Sequence, residues 1–113
     1  MYVYTATIGR NVKDWGAPMH DALWETFQDR VSEIMAGHVQ EDDFLEIHRG
    51  TGEWEGVPED SAMITVLRNE PLDEHDLHTL RYQLRLEATS FGQEAIALTI
   101  GQSELLKRVG VRV

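Results

Sequence analysis

Residues 43–69 read DFLEIHRGTGEWEGVPEDSAMITVLRN, and the reading of this stretch decides the fold. Its outer parts, DFLEIHRG (43–50) and SAMITVLRN (61–69), alternate apolar and polar residues with β-branched content, the signature of strands. Between them HRGTGEWEG (48–56) carries three glycines, one tryptophan and a histidine–arginine pair. A phosphate loop would need a lysine and a hydroxyl residue leading into a helix, and a dinucleotide fingerprint also opens a helix. Here the segment leaves one strand and enters another, and Glu53 and Glu55 would repel phosphate. The glycines are therefore read as permitting a bulge or sharp bend in a long hairpin, with Trp54 folded back onto a sheet edge.

What flanks this hairpin fixes the topology. On the N-terminal side, YVYTATIG (2–9) is a strand, and a loop containing DWGAP leads to a helix. In that helix Leu23, Phe27, Val31 and Ile34 make one stripe, joined by Trp24 and Met35, and Gly37 is its expected stop. On the C-terminal side a second helix runs from about Asp73 to Phe91 with Leu77, Leu80, Leu84, Ala88 and Phe91 on one face, and Gly92 at its end. EAIALTI (94–100) is the last strand, and SELLKRV (103–109) is expected to add a short helix. The helix starts PMHDALW and PLDEHDL share a proline, an apolar residue and a cap position, with a large apolar residue five places after the first. That is the spacing of a hydrophobic staple, pairing Met19 with Trp24 and Leu72 with Leu77. Asp73 is a good cap by type and His20 a poor one. Two β-α-β halves make a single α+β domain over residues 1–113. The expected architecture is ferredoxin-like βαββαβ, a four-stranded antiparallel sheet with both helices on one face.

Composition narrows the function classes. The chain has 113 residues, no cysteine and a formal net charge of −10. Disulfides, thiol nucleophiles and thiolate metal sites are thereby excluded. No apolar run approaches the roughly 20 residues of a membrane-spanning helix. The N-terminus lacks a basic segment ahead of an apolar one, so no secretion signal and a cytoplasmic location are expected. Residues 41–60 hold eight acids against Arg49 alone. Such a balance opposes binding to nucleic-acid phosphates and would attract a basic protein partner.

Strand parity separates two faces. Ala6, Ile8, Leu45, Ile47, Ile64, Val66, Ile96, Leu98 and Ile100 belong under the helices. Val3, Thr5, Thr7, Phe44, Glu46, His48, Met63, Thr65, Leu67, Ala95, Ala97 and Thr99 lie on the opposite, open face. An open face of this mixed character is expected to be covered by a second copy of the chain, as a homodimer. On it Glu46 could orient the His48 imidazole as a general base beside Thr65, in a cofactor-independent enzyme or ligand binder. His75 and His78 stand one helical turn apart, but two residues do not make a metal site, and no metal or cofactor is expected. GRNVKDWG (9–16) lacks the pattern of the acylphosphatase phosphate loop.

On ALWETF in the first helix, GEWEGVPEDSAMITVL across the hairpin and FGQEAIALTI entering the last strand, the chain resembles an uncharacterised family of small actinobacterial and phage proteins. The resemblance implies the ferredoxin-like fold and transfers no catalytic residues. The leading functional expectation is a non-enzymatic interaction domain, with Glu53, Trp54, Glu55, Glu59 and Asp60 on the acidic hairpin meeting a partner, such as a host protein bound by a phage protein. The alternative is the small-molecule site at His48, Glu46 and Thr65. Mimicry of nucleic acid by the acidic strip ranks last.

Overall fold

The structure, a computed structural model, describes residues 1–110. In chain order it contains β1 (Tyr2–Gly9), β2 (Asn11–Val12), a 3-10 turn (Lys13–Trp15), β3 (Ala17–Pro18), α1 (Asp21–Ala36), β4 (Phe44–Trp54), β5 (Val57–Arg68), α2 (Glu74–Ser90) and β6 (Ala97–Gln102). The four long strands form an antiparallel sheet in the order β4-β5-β1-β6, while β2 and β3 make a separate two-residue ladder inside the loop between β1 and α1. This is the α+β, ferredoxin-like arrangement expected from the two βαβ halves.

The core lies between the sheet and its helices. Ala6, Ile8, Ile64 and Val66 are fully buried on the sheet side, beneath Phe27, Val31, Met35 and Leu80. Tyr4 and Ala62 have the same parity and are buried with them. Phe27 stacks on Phe91 with ring centroids 4.6 Å apart and meets Trp24 edge-on at 6.2 Å. Two helices blanket the middle of a four-stranded sheet better than its margins. Ile47 on β4 and Ile100 on β6, both expected under the helices, are therefore exposed, whereas Leu45, Ile96 and Leu98 are half-buried.

Both helix starts are capped. Asp73 accepts the Asp76 amide at 2.7 Å, and His20, a poor cap by type, accepts the Leu23 amide on Nδ1 at 3.2 Å. The apolar residues of the proposed staples sit in the core, Met19, Trp24 and Leu72 buried and Leu77 half-buried.

Three local expectations are corrected. The hairpin contains no bulge: β4 and β5 stay in one register from Phe44 opposite Leu67 to Trp54 opposite Val57. The reversal is made by Glu55 and Gly56 alone, with φ of 50° and 81°. Positive φ at both central residues is the type I′ turn, whose twist matches that of the flanking strands, so Gly50 and Gly52 need no kink. The last strand begins at Ala97, opposite Thr7 of β1 and three residues later than expected. Residues 103–110 form no helix, and Leu105, Leu106 and Val109 are exposed there. A few apolar residues without a surface to pack against do not nucleate a helix.

The hairpin outruns its neighbour. Gly9 opposite Ser61 is the last β1–β5 pair, and the tip continues beyond it, giving a molecule of 60 × 32 × 24 Å.

Candidate functional site

Where the hairpin leaves β1 behind, its open-face residues look across at two loops instead of a third strand. A cavity of about 580 Å³ lies between them, walled by the hairpin from Gly52 to Ser61, by the end of β1, by the loop 11–18 and by residues 92–95. Register explains which side chains reach it. Thr7 pairs with Ala97, Gly52 with Glu59 and Trp54 with Val57, and all six border the cavity. They continue the rows of the open sheet face.

Two networks hold the walls. In the first, Glu59 leans back across the sheet and accepts the Asn11 amide at 3.0 Å, while Asn11 Nδ2 donates to the Pro58 carbonyl at 3.3 Å. Glu59 passes so close to Gly9 that a β-carbon there would come within 2.4 Å of its carboxylate. Gly9 is thus the gap through which the acid reaches the loop. In the second network Glu94 ties residues 92–95 to the β1–α1 loop. It accepts the Lys13 ammonium at 2.6 Å, and Trp54 borders the same cavity. The hydrogen bond from Lys13 and then its charge hold the Glu94 carboxyl below the usual glutamate range, and Glu94 in turn holds Lys13 above the usual lysine value.

Behind the cavity, Arg10 pins the base of the hairpin to α1. Its guanidinium donates to the Met19 carbonyl at 2.6 Å, to Asp60 at 3.2 Å and to Asp21 at 2.6 Å. Ion pairing with Asp21 raises the Arg10 pKa, opposed by partial burial.

Of the residues singled out on the acidic hairpin, Glu53, Trp54, Glu55 and Glu59 border the cavity. Asp60 has the opposite parity and is taken up by Arg10. His48 and Glu46 form their pair, at 3.3 Å, but their side chains are 69% and 53% exposed. Thr65 stands opposite Glu46 and is bonded to the Thr5 hydroxyl at 2.9 Å. None of these three lines the cavity. His75 and His78 are exposed on α2, and among the described residues no group of three or more His, Asp or Glu could hold a metal ion. Sequence reasoning weighed Arg10 and Asn11 only as a phosphate loop and set them aside, and it passed over Gly9, Lys13 and Glu94 as site residues. Their one signal was polar residues in the irregular segments GRNVKDWG and FGQEA beside strand ends.

No protein-family model matches the chain, and no curated protein matches it. Among solved structures it is similar to a phage SAM lyase in complex with S-methyl-5′-thioadenosine, at 18% identity and a TM-score of 0.53 over 89% of this chain and 80% of that one. A phage SAM lyase in the apo state gives 17% identity and 0.52, over 94% and 92%. CutA1 from Pyrococcus horikoshii OT3, carrying a mutation D60A, follows at 15% and 0.40, over 96% and 88%. The phage source of the first two is compatible with the resemblance drawn from the sequence, and no match shows a family.

The expectation of a non-enzymatic interaction domain is corrected by these findings. Two solved structures that share the fold at a TM-score above 0.5 are of a lyase, and Glu53, Trp54, Glu55 and Glu59, assigned with Asp60 to a protein partner, border a small-molecule-sized cavity. Glu59 bonds to Asn11 within the same chain instead of standing free for a partner. What remains true of the surface is coarser: no helix among the described residues is long and apolar enough to cross a membrane.

Proposed function

We propose that this chain is a cofactor-independent enzyme acting on a sulfonium nucleoside, with S-adenosylmethionine (SAM) as substrate and S-methyl-5′-thioadenosine as product. The observation that carries the reading is the cavity itself, where Trp54 stands among Glu53, Glu55, Glu59 and Glu94. An aromatic face beside carboxylates suits a compact cation, through its quadrupole and through charge. The same indole offers a stacking surface to an adenine ring. About 580 Å³ falls within the usual range for small-molecule sites. The shared fold with phage SAM lyase supports the choice of sulfonium over other cations.

The chemistry fits a site with no bound helper. The carboxylate oxygen of the substrate's own amino-acid chain bonds to the γ-carbon as the carbon–sulfur bond breaks, so that a lactone leaves, the electron pair goes to sulfur and the sulfonium becomes a neutral thioether. Carboxylates near sulfur favour the charged substrate more than the transition state, so their part is binding and release of the neutral product. Acceleration then rests on how the walls fold the substrate chain, an orientation effect.

Incubation with SAM followed by chromatography should yield S-methyl-5′-thioadenosine, and calorimetry should show both compounds binding. Trp54→Ala should lower SAM affinity by about tenfold, the upper part of what a cation–aromatic contact gives. Absence of both product and binding would end this reading.

A second reading concerns the open face. Phe44 and Met63 are 59% and 46% exposed there, beside the His48–Glu46 pair. A second copy covering this face would shelter His48, Glu46 and Thr65 as a base, its orienter and a hydroxyl. Light scattering should then give twice the chain mass, and Met63→Glu should return it to one.

A further inference from the structure

We infer that Lys13 is the specificity residue of the cavity, receiving the carboxylate of a ligand that also carries a cation. The inference rests on the functional reading above and deepens it. Among the described residues that wall the cavity there are four acids and one cation, Lys13. An amino-acid sulfonium presents two positive groups and one negative group. Glu53, Glu55 and Glu59 suit the positive groups, and each of them repels the carboxylate. Only Lys13 offers it a complementary charge.

Lys13 is placed to make that exchange. It sits at the start of the 3-10 turn on the loop that forms one wall, with its ammonium 2.6 Å from Glu94 Oε1. Its side chain is 68% exposed and that of Glu94 is 41% exposed. Ion pairs this open to water are weakly held, so a ligand carboxylate can share or replace the Glu94 contact. The ammonium has three donors, enough to serve Glu94 and a ligand together. Lys13, Glu94 and Trp54 border the same cavity, so the group that grips the carboxylate shares it with the aromatic wall that meets the nucleoside. A simple surface pair would have no reason to join both walls of a cavity.

The test compares three ligands that differ in one group each: SAM, decarboxylated SAM and S-methyl-5′-thioadenosine, which lacks the amino-acid chain. Their affinities are measured by calorimetry on the parent chain, Lys13→Met and Lys13→Arg. The parent should prefer SAM to its decarboxylated form by roughly tenfold, as one charge-assisted contact provides. Lys13→Met should erase that preference and leave thioadenosine affinity within about twofold, and Lys13→Arg should restore most of it. A preference that survives in Lys13→Met overturns the inference, as does an equal loss for all three ligands, which marks a structural role. A parent chain that binds SAM with no regard to its carboxylate overturns it and spares the functional reading. One that binds none of the three removes both.

Discussion

The contact of Glu59 with Gly9 shows how a single missing side chain can set a binding wall. A β-carbon at position 9 would lie 2.4 Å from the Glu59 carboxyl atoms, which are the far end of a flexible side chain. Gly9→Ala should therefore push the carboxylate off the Asn11 amide at little cost in stability. The expected outcome is a nearly unchanged melting temperature with SAM affinity reduced several-fold, read by thermal melts and calorimetry on one sample. The sequence places Glu59 on the hairpin but gives no sign of this contact, since Gly9 reads as an ordinary strand end. Asp43 acts differently. It accepts the Gln40 amide at 2.9 Å and the Asn69 amide at 3.1 Å, and with the nearby Arg68 charge these hold its carboxyl below the usual aspartate range, against burial. A lowered folded-state pKa gives stability that is present above the unfolded value and lost as pH falls through the folded one. Unfolding measured below about pH 4 should show this loss in the parent chain, and Asp43→Asn should flatten that part of the profile.

At the scale of elements, periodicity was a sound guide wherever packing simply extended it. The stripe Phe27, Val31 and Met35 of α1 and the pair Leu80 and Leu84 of α2 are buried as the 3.6-residue period predicts. Phe27→Ala would remove a ring stacked on Phe91 at zero exposure and should cost about 3–5 kcal/mol by denaturant unfolding. The hairpin was legible as two strands and illegible in its turn. Three glycines invited a bulge, yet only Gly56 works at positive φ, and the others sit in an unbroken ladder. Gly56→Val should destabilise the tip by roughly 1–2 kcal/mol, the cost of a left-handed conformation. The parent-like circular dichroism of such a variant, with weaker SAM binding, would show that the turn serves the cavity more than the fold.

At the scale of the whole molecule, the cavity exists because one hairpin is longer than the strand beside it. Lys13, Trp54 and Glu94 lie far apart in the chain and meet around one cavity. The sequence by itself determined the element order, the two helix stripes, the strand parity and the acidity of residues 41–60, because these follow from local alternation and charge. It misjudged what the acids face. Tertiary structure alone decided that Glu53, Trp54, Glu55 and Glu59 border one cavity, that Asp60 turns away to Arg10, and that His48 and Glu46 lie outside it. The physical reason is that period and propensity specify which side of a strand a residue occupies. What stands opposite that side depends on where unrelated loops end, and no local pattern encodes it.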